Sequence, residues 1–219
     1  MKKIYDPIHR FIAVDALESR VIDSLPFQRL RFIHQLGIAF LVYPGASHKR
    51  FEHSLGTMHV ASQIFDKLIA SGLDAEIEDV TYWRRIVRLA ALCHDLGHLP
   101  FSHCAEAAFL DADGHEGWTL RIIESDLLAP LWKELGEGAA VDIAKLAVGE
   151  KRCSYPYTKV ERLLSHIITD DFFGADRIDY LLRDALCSGL AYGSFDSHQL
   201  IEMMRLLPWK GELSIGIEE

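Results

Sequence analysis

Apolar residues recur at every third or fourth position over most of the chain, a pattern typical of helices that bury one face. In the clearest stretch, residues 54–71, Leu55, Met58, Ile64 and Phe65 follow this repeat. We predict helices over residues 54–71, 78–93, 105–110, 116–125, 140–148, 157–169, 176–187 and 197–206. The last of these would begin at Asp196 or Ser197, either of which can cap a helix.

Patterns typical of β-strands are sparse. We predict a short strand over residues 40–43, ended by Pro44 and Gly45. We also predict a hairpin over residues 209–217, with Lys210 and Gly211 in its turn. The chain shows neither an internal repeat nor a linker, so we interpret residues 1–219 as one domain. The expected fold class is all-α, a helical bundle with at most a short peripheral β-hairpin.

Composition narrows the possible settings and partners. The chain has 219 residues and a formal net charge of −9, which disfavours nonspecific nucleic-acid binding. The N-terminal residues lack the apolar core of a signal peptide, and no stretch is apolar enough to span a membrane. The four cysteines form no CxxC pair, as expected for free thiols in a reducing compartment. We therefore expect a cytoplasmic protein without a membrane or nucleic-acid partner.

A histidine and an aspartate, His94 and Asp95, stand side by side where the apolar segment 78–93 ends. An ionised carboxylate is costly to bury beside an imidazole unless a cation compensates it, and a divalent metal would do so. Both side chains can reach one ion where the helix stops, and we expect Gly97 to stop it. Because a His-Asp pair is common by chance, the pair alone does not define a site.

Two further candidate ligands lie in distant segments of the chain. His53 opens the predicted helix 54–71, and Asp176 opens the predicted helix 176–187. Two imidazoles and two carboxylates suit Mn, Fe, Zn, Ni or Mg and leave positions for water and a phosphate oxygen. Such open positions distinguish catalytic from structural metal sites. We therefore predict one divalent metal ion held by His53, His94, Asp95 and Asp176.

Longer motifs occur in a fixed order between residue 6 and about residue 195. They are Asp6-Pro7-Ile8-His9, Phe27-Gln28-Arg29-Leu30-Arg31, Gln35-Leu36-Gly37, Tyr43-Pro44-Gly45-Ala46-Ser47-His48, Arg50-Phe51-Glu52-His53-Ser54-Leu55-Gly56, His94-Asp95-Leu96-Gly97-His98, Pro100-Phe101-Ser102-His103 and Asp179-Tyr180-Leu181-Leu182-Arg183-Asp184. In these motifs the chain resembles the HD superfamily, in particular its deoxynucleoside triphosphate triphosphohydrolase branch. The resemblance implies a single HD phosphohydrolase domain over residues 1–219, without a C-terminal extension found in longer relatives.

The resemblance implies the four metal ligands named above and a group of catalytic side chains. His115 would be the acid or the phosphate-polarising group, and Glu106 would orient it. The family usually has Asp where this chain has Glu106. His98 and His103 would line the channel for the phosphates.

The resemblance also implies contacts with a nucleotide. Six side chains would bind the substrate: Gln35, Leu36, Arg50, Arg177, Tyr180 and Asp184. The two arginines would hold phosphates, because a guanidinium matches the geometry of phosphate oxygens. Gln35 and Leu36 would leave no room for a 2′-hydroxyl, and Asp184 would bind the 3′-hydroxyl.

Some members of the family bind regulatory nucleotides between subunits, which implies a homo-oligomer. The corresponding contacts here would be Asp23, Gln28 and Arg31. Two of these residues could instead have purely structural roles. Asp23 could cap a helix N-terminus, and Arg31 could lie on a solvated face.

Together, the metal ligands, catalytic side chains and nucleotide contacts that the resemblance implies indicate hydrolysis of deoxynucleoside triphosphates to deoxynucleoside and triphosphate. Two alternatives stay open. One is an HD-type phosphohydrolase that acts on a nucleoside monophosphate, a cyclic nucleotide or an alarmone. The other is a non-catalytic nucleotide-binding module that keeps a metal for stability. The residues implied at the sugar favour the first function, and the complete ligand set with His115 argues against the module.

Overall fold

The computed structural model describes residues 1–110, 113–169 and 173–218. Helices form most of it, and four strands form two separate antiparallel hairpins. In chain order the elements are β1 (Lys2–Asp6), β2 (Arg10–Val14), α1 (Ala16–Asp23), α2 (Leu25–Gln28), α3 (Arg50–Ile69), α4 (Val80–Cys93), α5 (His103–Phe109), α6 (Gly114–Ile123), α7 (Ala129–Trp132), α8 (Ala139–Val148), α9 (Lys159–Thr169), α10 (Ala175–Ser188), α11 (Ser197–Glu202), β3 (Met204–Trp209) and β4 (Glu212–Ile217). The predicted all-α fold class is confirmed.

Helix α3 is the centre of the bundle. It packs against α4 and α10 and also touches α9 and β3. Its side chains are buried on more than one face: Leu55, Met58, Ile64, Phe65 and Leu68 are all at most 3% exposed. A helix surrounded in this way positions whatever polar residues it carries inside the protein, and His53 is one of them.

The predicted strand over residues 40–43 is wrong. Residues Ala39–Leu41 form a 3₁₀ turn, with hydrogen bonds from Leu41 N to the Ile38 carbonyl and from Val42 N to the Ala39 carbonyl. Phe40 stacks on His34 at 4.7 Å between ring centroids. A short apolar run forms a strand only beside a partner strand, and here its backbone bonds locally instead.

The C-terminal hairpin is confirmed, but it begins earlier than predicted. Strand β3 pairs with β4 from Met204↔Ile217 to Trp209↔Glu212, so α11 ends at Glu202 and not at residue 206. Lys210 and Gly211 form the turn, with φ of 51° and 84°. A two-residue turn with two successive positive φ values matches the right-handed twist of the two strands that it connects.

The N-terminal hairpin of β1 and β2 was not predicted. Its strands pair from Lys2↔Val14 to Asp6↔Arg10. The carboxylate of Asp6 accepts hydrogen bonds from the backbone N–H groups of Ile8 and His9, both at 2.9 Å. This side chain therefore fixes the connection that places His9 against the helical core.

None of the helices within the described residues is long and apolar enough to cross a membrane.

Candidate metal centre and surrounding site

Four side chains that are far apart in the sequence converge between α3, α4 and α10. His53 Nε2 lies 3.2 Å from His94 Nε2 and 3.0 Å from Asp176 Oδ1. His94 Nε2 lies 3.5 Å from both Asp176 Oδ1 and Asp95 Oδ1. Asp95 Oδ2 is 3.7 Å from His53 Nε2. The structure thus brings together His53, His94, Asp95 and Asp176, the four residues proposed as ligands.

Each histidine of this cluster is held by its other ring nitrogen. His53 Nδ1 lies 2.7 Å from Asp179 Oδ2, and His94 Nδ1 lies 2.7 Å from the Ala91 carbonyl. Both partners accept hydrogen bonds, so each Nδ1 donates and each Nε2 is the nitrogen that faces the cluster, where it can bind a proton or a metal. A carboxylate or a carbonyl behind the imidazole is the usual support of a metal-binding histidine.

Asp179 is a functional candidate that the sequence analysis missed. Its carboxylate contacts His53 on one side, while Arg183 donates to it through Nε and Nη2, both at 2.9 Å. His9 Nε2 is 2.6 Å from Asp179 Oδ1, and Arg183 Nη1 donates to Asp6 at 2.8 Å. The available sequence signal was its position three residues after Asp176, one turn along the same helix.

The electrostatics of the cluster depend on these carboxylates. Burial alone lowers the pKa of His53, but Asp176, Asp179 and Asp95 outweigh it and raise the pKa to about 10. Burial likewise lowers the pKa of His94, and Asp95 and Asp176 raise it by more. Burial would raise the pKa of Asp176, yet the two imidazoles hold it well below its usual value.

This donor set fits a divalent metal. Two Nε2 lone pairs that face each other at 3.2 Å need a proton or a cation between them. The two imidazoles and two carboxylates within reach could supply nitrogen and oxygen ligands to a single ion.

We expect metal binding to release protons from His53 and His94. The pKa of His53 is raised to about 10, so this ring carries a proton at neutral pH in the metal-free protein that a metal must displace, and the raised pKa of His94 acts in the same direction. Affinity for Mn²⁺ should therefore rise about tenfold per pH unit for each proton released between pH 7 and 8.5. Calorimetry in buffers of different ionisation enthalpy counts these protons, and a count of zero would contradict the assignment.

Stability of the metal-free protein should change in the opposite direction. A raised folded-state pKa stabilises the fold fully below about pH 6.5, the unfolded value, and this contribution is lost as pH rises through about 10. The metal-free protein should therefore lose unfolding free energy across the same pH range in which its metal affinity grows.

A second cluster of histidines surrounds Glu106. Its Oε1 lies 2.8 Å from His115 Nδ1, 3.0 Å from His103 Nδ1 and 3.5 Å from His98 Nδ1, and the rings of His98 and His115 stack at 3.8 Å. The 2.8 Å approach to His115 lacks the alignment of a hydrogen bond. Glu106 is therefore close enough to orient His115 after a small rotation.

This second cluster is joined to the first through His98. His98 Nε2 lies 3.3 Å from Asp95 Oδ1, so one buried imidazole separates the two groups. Burial lowers the pKa of His98 to about 3, against the opposing effect of Asp95. Burial would raise the pKa of Glu106, but His115 and His103 outweigh it and lower the value. At neutral pH the neutral ring of His98 therefore lies beside the anionic carboxylate of Glu106.

Arg50, the first residue of α3, contacts the candidate metal centre through Asp95. It is only 4% exposed, and its Nη1 donates to Asp95 Oδ2 at 2.6 Å. Its Nε and Nη2 donate to Ser102 Oγ at 3.1 and 3.0 Å. A guanidinium beside the proposed metal-binding carboxylate is well placed to neutralise an incoming phosphate.

Two of the residues proposed for the sugar, Gln35 and Asp184, contact His48. Gln35 N donates to the His48 carbonyl at 3.1 Å, and the His48 ring lies 2.7 Å from Asp184 Oδ1. Gln35 Oε1 is buried and lacks a hydrogen-bond partner among the described residues. Three further proposed residues are partly buried: Leu36 near Gln35, and Arg177 and Tyr180 on α10.

Of the three residues proposed for a regulatory nucleotide, Asp23 ends α1, Gln28 ends α2, and Arg31 lies in the 3₁₀ turn after α2. Arg31 Nε donates a hydrogen bond to Gln28 Oε1 at 2.9 Å, and the Arg31 guanidinium lies 3.5 Å from the centre of the Phe51 ring. Asp23 is exposed and is the last residue of α1. The alternative of an N-cap at Asp23 is wrong, because Asp23 ends α1 and the N-cap position of the next helix, α2, is Ser24.

Gly97 has a different role from the one predicted. Helix α4 already ends at Cys93, and the φ of Gly97 is not in the left-handed region. A Cβ at Gly97 would instead meet the His115 carbonyl at 1.9 Å and Thr119 N at 2.5 Å. The glycine lets α6 approach closely, and this approach carries His115 to the site.

Comparisons with known proteins identify the relatives of this chain. The HD domain family matches residues 50–169. An uncharacterized protein of Methanocaldococcus jannaschii is 37% identical over 99% of this chain. The deoxynucleoside triphosphate triphosphohydrolase SAMHD1 of Homo sapiens is 34% identical over 98% of this chain. A crystal structure of a hypothetical protein from Aquifex aeolicus superimposes on the whole chain with a TM-score of 0.82 and 37% identity.

These relatives are longer than the chain. The matched region covers 41% of the Methanocaldococcus protein, 38% of human SAMHD1 and 54% of the Aquifex chain. The family match covers more than half of the 219 residues and includes His53, His94 and Asp95. The chain therefore belongs to the HD-domain family.

Proposed function

We propose that this chain is a metal-dependent phosphohydrolase that cleaves deoxynucleoside triphosphates to deoxynucleoside and triphosphate. The observation that carries this proposal is the convergence of His53, His94, Asp95 and Asp176, in which each carboxylate lies within 3.7 Å of both imidazoles, next to the Glu106 histidine cluster. Similarity to SAMHD1, whose name specifies this reaction, supports the substrate class.

A divalent ion bound at the cluster would lower the pKa of a bound water and polarise a phosphoryl oxygen. The chain's own residues would do the rest. Arg50 would bind phosphate oxygens, and neutral His98 would donate or accept one hydrogen bond beside them. Water would add to the α-phosphorus and release one proton to the solvent while the bond to the 5′-oxygen breaks, and His115, oriented by Glu106, would give the 5′-oxygen its proton.

The sugar contacts are proposed on the same grounds. Asp184 would accept from a 3′-hydroxyl, while Gln35 and Leu36 would exclude a 2′-hydroxyl, with Tyr180 beside them. The buried and unpartnered Oε1 of Gln35, as far as the described residues show, supports a role in binding. Arg177 would bind an outer phosphate.

We also propose a homo-oligomer. The segment from residue 25 to residue 42 exposes Leu25, Phe32, Leu41 and Val42 by 72% or more each. Several large apolar side chains in one exposed segment are typical of an interface. Gln28 and Arg31 belong to the same segment, which supports their proposed regulatory role.

Product analysis tests the proposed function. Purified protein would be incubated with a panel of deoxynucleoside triphosphates, ribonucleotides, monophosphates and cyclic nucleotides, with Mn²⁺ or Mg²⁺. We expect deoxynucleoside and inorganic triphosphate in equal amounts from the deoxynucleoside triphosphates. Release of orthophosphate from a monophosphate, or conversion of a cyclic nucleotide to a monophosphate, would favour the alternative of a phosphohydrolase that acts on another nucleotide. Binding without turnover would favour the non-catalytic module.

A further inference from the structure

The loop before α5 holds an unfavourable backbone conformation at two successive residues that are not glycine. Phe101 has φ of 71°, and Ser102 has φ of 49° with ψ of −135°. Glycine adopts such angles readily, whereas a Cβ atom makes them unfavourable. A conformation of this kind persists only where surrounding contacts hold it, and it is commonest at functional sites. The contacts of Ser102 show what this unfavourable conformation provides.

The Ser102 hydroxyl is buried and uses all of its hydrogen-bonding capacity. The residue is 3% exposed, and its Oγ accepts from Arg50 Nε at 3.1 Å and from Arg50 Nη2 at 3.0 Å. The same hydroxyl donates to the His34 carbonyl at 3.2 Å. A serine hydroxyl has one proton and two lone pairs. Because its proton goes to His34, its lone pairs are left for the guanidinium.

These contacts join two parts of the site. Arg50, the proposed phosphate ligand, is fixed between Ser102 and Asp95. The His34 carbonyl directly precedes Gln35, which is proposed to face the sugar. The same segment also approaches the strained loop, since a Cβ on Gly37 would lie 3.1 Å from the Phe101 carbonyl oxygen. One hydroxyl therefore ties the phosphate-binding arginine to the sugar-facing segment.

We propose that Ser102 is a positioning residue that sets Arg50 against the phosphates and residues 34–37 against the sugar, and so helps the site to select deoxynucleotides over ribonucleotides. This inference rests on the proposed function. Alanine at position 102 would keep the unfavourable backbone but remove the hydroxyl. Glycine would remove both the hydroxyl and the conformational cost.

The test compares Ser102→Ala and Ser102→Gly with the parent protein, all loaded with Mn²⁺. For both variants we expect the Kd for inorganic tripolyphosphate, measured by calorimetry, to rise about tenfold, because a charged group loses its hydrogen-bond partner. The KM for deoxynucleoside triphosphates should rise by a similar factor. The preference in kcat/KM for deoxy over ribo substrates should fall about tenfold. Metal content should stay the same.

Ser102→Gly should melt at a higher temperature than Ser102→Ala, so an equal loss of binding in two variants of unequal stability is due to the missing hydroxyl and not to a folding defect. The matched control is Lys210→Gly, which relieves a φ of 51° in the exposed turn between β3 and β4 and should leave all binding constants unchanged. Unchanged tripolyphosphate affinity and unchanged sugar preference in both Ser102 variants would overturn the proposal. If the parent hydrolyses no deoxynucleotide, the proposed function fails. Tripolyphosphate binding still tests whether Ser102 positions Arg50 for phosphate.

Discussion

Adding one methyl group at Gly56 is expected to lower the free energy of unfolding by about 3 kcal/mol and to weaken metal binding at the same time. Gly56 lies within α3, one turn after His53. A Cβ there would come 1.8 Å from Asp179 Oδ1 and 2.6 Å from Arg183 Nη2. Both of those side chains are buried, at 0% and 1% exposure, so neither can move into solvent without breaking the ion pair.

The sign of this effect is decided by two opposing contributions. Alanine is a better helix former than glycine by about 1 kcal/mol, which favours the variant. Crowding a packed interior costs about 1–3 kcal/mol, and separating a buried ion pair costs about 3–5 kcal/mol. The crowding therefore outweighs the helix propensity. Because Asp179 also supports His53 Nδ1 at 2.7 Å, its displacement should weaken metal affinity about 10- to 100-fold.

Urea unfolding of the metal-free protein and calorimetric titration with Mn²⁺ measure the two effects of Gly56→Ala separately. The matched control is Ser62→Ala on the same helix, whose hydroxyl donates only to the His59 carbonyl at 2.8 Å. It should change stability by less than about 1 kcal/mol and leave metal affinity intact. A Gly56→Ala protein as stable as the parent would show that α10 can retreat from α3 freely, and that Asp179 is not held where the structure places it.

Helix periodicity and residue type could predict the segments that form the candidate metal centre, because three of the four residues lie at helix ends or just beyond them. His94 and Asp95 follow α4, and Asp176 is the second residue of α10. The supporting residues could not be found in this way. Asp179 is one of several acidic residues on helices, and only the packing of α10 against α3 shows that it meets His53.

The N-terminal hairpin was missed for a related reason. Its strands have five residues each, and their apolar residues alternate too briefly for a strand to stand out. The informative residue was Asp6, whose side chain accepts two backbone N–H groups in the following turn. Its second oxygen accepts from Arg183, a contact across 177 positions that no local pattern can indicate.

Replacing His115 with alanine is expected to lower kcat about a thousandfold while metal content and melting temperature stay unchanged. Its side chain is 17% exposed, and it faces Glu106 on one side and the His98 ring on the other. Loss of the imidazole would leave the departing 5′-oxygen without a proton donor, and it would remove no ligand of the proposed metal centre.

His103 provides the sharpest comparison for this variant, because its Nδ1 lies 3.0 Å from the same Glu106 oxygen. Its side chain is 71% exposed, which suits a phosphate-binding role at the mouth of the site better than proton transfer inside it. His103→Ala should therefore raise KM more than it lowers kcat, and His166→Ala on α9 should change neither. Full turnover by His115→Ala, together with a collapse of kcat in His103→Ala, would move the acid role to His103. Because Glu106 approaches both rings, that outcome would keep the carboxylate as the orienting group and reverse only the identity of the proton donor.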